Sequence, residues 1–275
     1  MLVTLNDLLP SAAQSSGAIA CVNVFGFEDA LAVIGAAEET QKPVIVATNK
    51  DMVDMLGVEC LAGMLLPLIQ KSSAQVCLHL DHCYEEAIVY RAIQAGYSSV
   101  MFDGSQLPLD ENIRRTKAVS KVTQALGVSL EGEIGSVPYS EGRDHIKSID
   151  TSPEEAKRYA EESGIDAMAV SVGNIHRLTE PTSTIDYDLL GSIESQVDVP
   201  LVIHGTTGIT ESDLITLKQT RVSKFNVGTS LRLVIGNTLR EKMAGEPNQF
   251  DRRYFMSKVF PAAQQEAVRL INLLG

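Results

Sequence analysis

Positive charge is scarce in this chain. Lysine and arginine number 23 against 35 aspartates and glutamates, a net charge of −12 over 275 residues. Nucleic acids and anionic membrane surfaces are held by basic patches, so neither is an expected partner. An anionic ligand would need positive potential supplied locally, by a metal, an arginine or a helix N-terminus. Long apolar runs are missing too. None approaches the roughly 18 residues of a membrane span. The first residues lack the charged, apolar and small-residue order of a signal peptide. Cysteine is sparse: Cys21, Cys60, Cys77 and Cys83 form no CxxC pair. A cytoplasmic protein with reduced thiols is expected. No GxGxxG follows the first apolar run, which weakens a dinucleotide-binding reading.

What is present is alternation. With 44% hydrophobic residues and 29.7 kDa, the chain suits one barrel-sized domain over residues 1–275. Such barrels run at about 250 residues. Short runs rich in Val and Ile fall at 18–24, 43–48, 75–80, 98–102, 128–132, 167–172, 200–204 and 222–227. They read as buried parallel strands. Helical patterns lie between them, at 28–40, 58–71, 85–95, 109–126, 153–163, 187–196, 211–219 and 231–242. Ser152-Pro153 and Thr210-Glu211-Ser212-Asp213 carry helix-start signals. Eight strands alternating with eight helices predict a (β/α)8 barrel with an extra C-terminal helix in 249–275. A doubly wound open sheet is the alternative. Long connections at 135–151 and 173–186 read as functional loops.

The chain has five histidines, and three close apolar runs: His82, His176 and His204. In a barrel, the C-terminal ends of the strands form the active-site rim. Three imidazoles with a fourth position open make a catalytic zinc site, although other divalent transition metals accept the same donors. Cys83, next to His82, offers a less favoured thiolate. Asp81 precedes His82 and suits either an orienting partner or a general base. His79 shares the Asp81 face and suits a supporting role. His145 falls in a loop and suits solvent. Asp103, Glu131 and Glu133 bring more carboxylates to the rim, where they would repel one another without a cation between them. Two Gly/Thr/Ser turns follow the seventh and eighth strands, His204-Gly205-Thr206-Thr207-Gly208 and Asn226-Val227-Gly228-Thr229-Ser230. That is the usual phosphate site of these barrels.

Leu78-His79-Leu80-Asp81-His82, Phe102-Asp103-Gly104-Ser105, Glu131-Gly132-Glu133-Ile134-Gly135, His204-Gly205 and Asn226-Val227-Gly228-Thr229 together resemble the class II, metal-dependent fructose-bisphosphate and tagatose-bisphosphate aldolases. The likeness runs from Asn23 to Arg253. It implies reversible aldol cleavage of a ketose phosphate into a dihydroxyacetone-phosphate-like fragment and an aldehyde, with zinc as the Lewis acid. His82, His176 and His204 would be the ligands, with Asp103 and Glu133 as an alternate or second metal position. Asp81 would be the acid/base and Glu141 the loop acid. Asn23, Asn49, Gly205, Thr207, Asn226 and Thr229 would line the substrate and phosphate positions. Arg253 would reach a distal phosphate, often in a neighbouring subunit. A homodimer or homotetramer is implied, and a monovalent cation is allowed.

The chain also departs from that pattern. Arg177 follows His176 where the family usually has glycine. Asn49 stands where a small hydroxyl residue is usual, and Ser230 where an acid is common. The metal centre is kept while the substrate periphery is altered, so the expected substrate differs from ordinary fructose or tagatose bisphosphate, and Arg177 is a candidate substrate contact. A metal-dependent epimerase or isomerase is the competing enzyme reading. A sugar-phosphate-binding barrel without catalysis is the third, and Asp81 argues against it.

Overall fold

The structure is a computed structural model that describes residues 1–143 and 145–275; Asp144 of the 135–151 loop lies outside them. Among the described residues, eight parallel strands close in chain order into a barrel. They are β1 (Ile19–Asn23), β2 (Val44–Asn49), β3 (Val76–Cys83), β4 (Ser99–Phe102), β5 (Ser129–Ile134), β6 (Ala167–Val170), β7 (Leu201–Ile203) and β8 (Val222–Val227). The expected (β/α)8 architecture is correct, and strand edges shift by no more than three residues. Nearly every strand position is buried, as it must be when helices cover one face and a filled barrel the other.

Strand periodicity explains how the barrel places its site. Alternate residues point inward. At the N-terminal end those positions are apolar: Ile19, Cys21, Ile45, Ala47, Cys77, Met101, Ala167, Ala169 and Val202 form one interior cluster. Continuing the same stripes towards the C-terminal end gives Asn23, Asn49, His79, Asp81, Asp103, Glu131, Glu133, His204, Lys224 and Asn226. Apolar packing therefore carries the lower barrel and polar chemistry the upper. The register ties neighbouring stripes together, with Asn49 opposite Asp81 and Cys21 opposite Asn226.

The lower end is plugged by α1 (Leu5–Gln14), which the sequence reading left unassigned. Its Leu5, Leu8, Leu9 and Ala12 join the interior cluster. Thr4 caps it, and Asp7 reciprocates to the Thr4 N–H at 2.7 Å. The surrounding helices are α2 (Phe27–Thr40), α3 (Lys50–Leu56), α4 (Val58–Lys71), α5 (Glu86–Ala95), α6 (Leu109–Leu126), α7 (Pro153–Ser163), α8 (Tyr187–Glu194), α9 (Glu211–Leu217), α10 (Thr229–Gly245) and α11 (Arg252–Leu274). The short α3 is a second unpredicted element, started by Asn49, whose Oδ1 accepts from the Met52 N–H. The predicted caps hold: Ser152 accepts from Glu155 N–H and Thr210 from Asp213 N–H. The extra C-terminal helix expected in 249–275 is present as α11, and it packs on α2 and α10. No single helix among the described residues is long and apolar enough to cross a membrane.

Candidate active site

Asp81 and His82 are consecutive, so an ideal strand would point them to opposite faces. Here both reach the site. The β3–β4 register slips between Leu80 and Cys83, and His82 sits at φ +51°, in the left-handed region. This bulge re-aims one side chain, a known use of the device near active sites. Cys83 is thereby turned outward. Its thiol donates to the Glu85 carbonyl and stays out of the histidine cluster.

The three expected ligands converge. His82, His176 and His204 offer ring nitrogens that all lie within 4.8 Å of one another. Their outer atoms decide what the inner ones present. His82 Nδ1 lies 2.8 Å from Asp103 Oδ2, and His204 Nε2 lies 2.9 Å from Glu131 Oε1. Carboxylates accept, so both outer nitrogens carry the hydrogen. The inner nitrogens, His82 Nε2 and His204 Nδ1, then face each other at 2.8 Å with lone pairs. His176 Nε2 is buried with no partner. Converging lone pairs need a proton or a cation, so the residues fit a three-histidine metal site. The second expected set, His82, Asp103 and Glu133, also clusters within that distance. The Asp103 carboxylate is further held by Ser105, through its N–H and hydroxyl. Glu133 Oε1 accepts from Val137 N–H, while its Oε2 is buried and free.

Burial holds His176 and His204 far below the ordinary imidazole range, helped by the neighbouring His82 charge. Burial also lowers His79, which pairs with the Ser99 hydroxyl at 2.8 Å and supports the wall. His82 goes the other way. Burial would lower it, but the Tyr139 phenol and the Asp81 and Asp103 carboxylates outweigh that and push it well up. Burial, reinforced by Asp103, pushes Glu133 up to about 8. Both shifts favour the protonated folded state. Their stabilisation is therefore full below the unfolded values of 6.5 and 4.5, and is lost as pH rises through the higher folded ones. Metal-free protein is expected to lose thermal stability from about pH 4.5 to 8 through Glu133, with His82 adding to the loss above pH 6.5. Each uncompensated proton is worth about 1.4 kcal/mol per pH unit, roughly 3–6 °C. A metal held by these residues would displace protons from them and is expected to flatten the slope. Melting scans with and without chelator across that range test this, and parallel slopes would refute it.

Asp81 is buried, and burial would raise it, yet the charges of His82 and Lys224 and the Asn23 amide hold it below the usual carboxylate range. Both of its oxygens accept from amides: Oδ2 from Asn23 at 2.8 Å and Oδ1 from Asn226 at 2.9 Å. Asn23 and Asn226, expected to contact substrate, are thus first the cradle of Asp81, although both also line the cleft.

That cleft, of about 610 Å³, opens above Asp81 and His82. One wall carries the residues expected to hold an anion. Gly205, Thr207, Gly228 and Thr229 line it, with Arg232 beside them. Gly228 offers no side-chain cap to the N-terminus of α10, so its first-turn amide hydrogens, that of Ser230 apart, have no capping partner and can meet an anion. Thr207 Oγ1 ties the two turns by accepting from Ser230 N–H. Gly205, at φ +73°, sits where a Cβ would lie 2.3 Å from the Ile175 carbonyl. A Gly205→Ala change is expected to cost at least about 2 kcal/mol, a fall of roughly 4–8 °C in melting temperature. An unchanged melting temperature would count against that conformation.

The opposite wall carries Arg177, a candidate substrate contact from the sequence, together with Tyr139, Arg143 and Asp51, to which sequence reasoning gave no role. Tyr139 stacks on His176, centroids 4.4 Å apart at 19°, and the 135–151 loop bridges the His176 segment through Ser140 N–H and Pro138 O. Arg143 and Arg177 both lie over the Tyr139 ring, and both reach Asp51, at 2.7 and 3.0 Å. Nothing short-range in the sequence joins residues 51, 139, 143 and 177. Glu141 is exposed and lines an outer groove with Asp51 and Arg232, not the floor beside Asp81. Arg253 stands outside the cleft, its side chain 93% exposed. Asn49 lines the cleft as expected, and His145 is exposed.

An eight-stranded barrel with three converging imidazoles, a shielded aspartate and an anion cradle has the architecture of a metal-assisted enzyme of phosphorylated substrates. The class-II fructose-bisphosphate aldolase family model matches residues 3–275, and the chain belongs to that family. It is a lyase, a class II aldolase. Among its relatives, 6-phospho-5-dehydro-2-deoxy-D-gluconate aldolase of Shouchella clausii (strain KSM-K16) is 32% identical over 278 residues, covering 99% of this chain and 94% of the relative. The crystal structure of the YdjI aldolase of Escherichia coli K12 superposes with a TM-score of 0.86 at 28% identity, covering 100% and 98% of the two chains. The fructose-bisphosphate aldolase of Campylobacter jejuni shares the fold, with a TM-score of 0.84 at 21% identity over 99% and 95%.

Proposed function

We propose that this chain catalyses reversible aldol cleavage of a ketose phosphate other than ordinary fructose or tagatose bisphosphate, with Asp81 as the proton carrier. The observation that carries the reading is the placement of Asp81. It is ionised, buried and aimed into the cleft, with Oδ1 4.0 Å from the His82 ring. His82, His176 and His204 would hold the metal, zinc being the best match to their donor set. A bound divalent metal supplies Lewis-acid polarisation of a carbonyl. Asp81 takes the proton of the substrate hydroxyl as the adjacent carbon–carbon bond breaks, and returns it in condensation. Gly205, Thr207 and Thr229 hold the phosphate of the donor half. Tyr139 and its loop shield the reacting end from water.

The altered periphery supports a different far end. Arg177 sits at φ +62°, a conformation that glycine adopts freely and that costs other residues roughly 1–2 kcal/mol. Retaining arginine there makes sense if its guanidinium meets the substrate. With Arg143 it forms a two-pronged cationic wall that a second anion can engage. The Shouchella relative is named for a phosphorylated sugar acid, so a carboxylated fragment belongs among the trial substrates.

The test is condensation by metal-loaded and chelated protein. Dihydroxyacetone phosphate and unphosphorylated dihydroxyacetone are each offered with neutral, phosphorylated and carboxylated aldehydes. Metal-dependent product from the phosphorylated donor is expected. No carbon–carbon bond formation with any pair, alongside isomerised ketose, would replace the reading with an isomerase. Arg177→Gly is expected to keep stability or raise it slightly, by up to about 1 kcal/mol of relieved strain, while altering aldehyde preference about tenfold or more. Unchanged preference would remove Arg177 from specificity.

A further inference from the structure

Beneath the acid/base and the metal position lies a fully buried ion pair that neither uses directly. Lys224 Nζ is 2.8 Å from Glu131 Oε2, and both side chains are wholly excluded from solvent. A buried pair replaced by apolar residues is often neutral or stabilising, so its presence needs a reason beyond stability. The other contacts of the two residues supply one.

Glu131 Oε1 meets His204 Nε2 at 2.9 Å. A carboxylate only accepts, so His204 is held with its hydrogen on Nε2 and its lone pair on Nδ1. That lone pair points at the metal position. Lys224 Nζ donates to Asn226 Oδ1 at 2.5 Å. An ammonium only donates, so the oxygen of Asn226 must face it. The Asn226 amide hydrogens are thereby turned to Asp81, 2.9 Å away. Asn226 is over-determined: a donor-only group fixes one end and an acceptor-only group the other. The apolar neighbours Cys21, Cys77 and Met101 offer no substitute donor of comparable strength.

We propose that Glu131 and Lys224 are the positioning residues of the site, one charge fixing the tautomer of a metal-binding histidine and the other the donor face of the amide that holds Asp81. Because the two charges neutralise each other, the metal half and the proton-transfer half are set by one unit. This explains why inward-facing charge appears on β5 and β8 at the level where apolar filling ends. The inference rests on the assignment of His204 as a ligand and Asp81 as the proton carrier.

The experiment separates the two arms. Glu131→Gln keeps the shape but puts an amide opposite Lys224, and is expected to weaken zinc affinity about 10–100-fold in chelator competition. Lys224→Met frees Asn226 to flip, and is expected to lower kcat at least about tenfold at saturating zinc, with KM less affected. In an Asn226→Ala background Lys224→Met should cost no further kcat, since Lys224 acts through Asn226. If either single variant fails to fold, the charge-neutral Glu131→Gln/Lys224→Met protein takes its place and should show both losses. Variants that melt earlier yet keep wild-type zinc affinity and kcat would overturn the proposal and leave a structural pair. Additive kcat losses in the Asn226→Ala background would overturn the Lys224 arm. Wild-type protein that binds no zinc tightly would instead sink the ligand assignment beneath it, so the two failures are distinguishable.

Discussion

A His204→Ala protein is expected to purify with little metal and to turn over at least about a thousandfold more slowly than the parent. Lewis-acid polarisation contributes several kcal/mol, and each 1.36 kcal/mol is about tenfold in rate. The loss is large because His204 cannot be replaced from nearby. His82 and His176 are the remaining imidazoles of the cluster, and the next carboxylates, Asp103 and Glu133, lie on the far side of His82. The change also strands Glu131, whose Oε1 loses its imidazole partner and whose charge is then answered by Lys224 alone. Metal content by elemental analysis and turnover with added zinc check the expectation. Restoration of full activity by excess zinc would show that two imidazoles suffice, and would remove His204 from the ligand set. The metal's effect on stability should disappear as well. A ligand present at 1,000 times its dissociation constant stabilises by about 4.1 kcal/mol, and His204→Ala should forfeit nearly all of that.

The barrel was legible because parallel strands buried on both faces leave a strong trace. Runs such as Val44–Asn49 and Val76–Cys83 are dense in β-branched and apolar residues, and turn signals separate them. The elements that escaped are the ones whose form is set from a distance. The α1 helix spans three turns at most and contains Pro10, so its propensity is weak; its leucines are helical because the open barrel floor takes them. The α3 helix is seven residues long, below what a periodicity argument can separate from a turn.

The site was legible to the extent that strand ends and period-two stripes carry it. His82, His204, Asp103 and Glu133 fall out of position alone, and they converge. The joint use of Asp81 and His82 did not follow from strand geometry. It needs a bulge and a left-handed histidine, which no local pattern announces. Lys224 and Glu131 were visible as strand residues, but their effect depends on contacts across the closed barrel, Glu131 of β5 meeting Lys224 of β8 and His204 after β7, and Asn226 of β8 meeting Asp81 of β3. The pairing of Arg143 and Arg177 on Asp51 is likewise a meeting of two loops with the first turn of α3, and sequence spacing is silent about such meetings.

Asp81→Asn is expected to reduce kcat by roughly 100- to 10,000-fold, the range for a lost general acid/base, while leaving metal content and fold intact. The substitution keeps the size and one carbonyl oxygen. What it removes is the ionised acceptor that Asn23 and Asn226 were arranged to hold. An asparagine there must place its own NH2 towards one of two amide donors, so a donor faces a donor and one buried contact is lost. That costs about 1–3 kcal/mol of stability, a shift of only a few degrees for a chain of this size. A KM close to the parent's with a collapsed kcat would mark Asp81 as acting on the reacting atoms rather than on binding. A matched loss of metal would instead make it an orienting partner of His82, since the carboxylate lies within 4.0 Å of that ring. The two outcomes divide the roles that sequence alone left open for this residue. The Asp81→Ala protein sharpens the division, because it removes the donor–donor conflict: equal kcat in the alanine and asparagine proteins would assign the whole effect to the missing proton carrier.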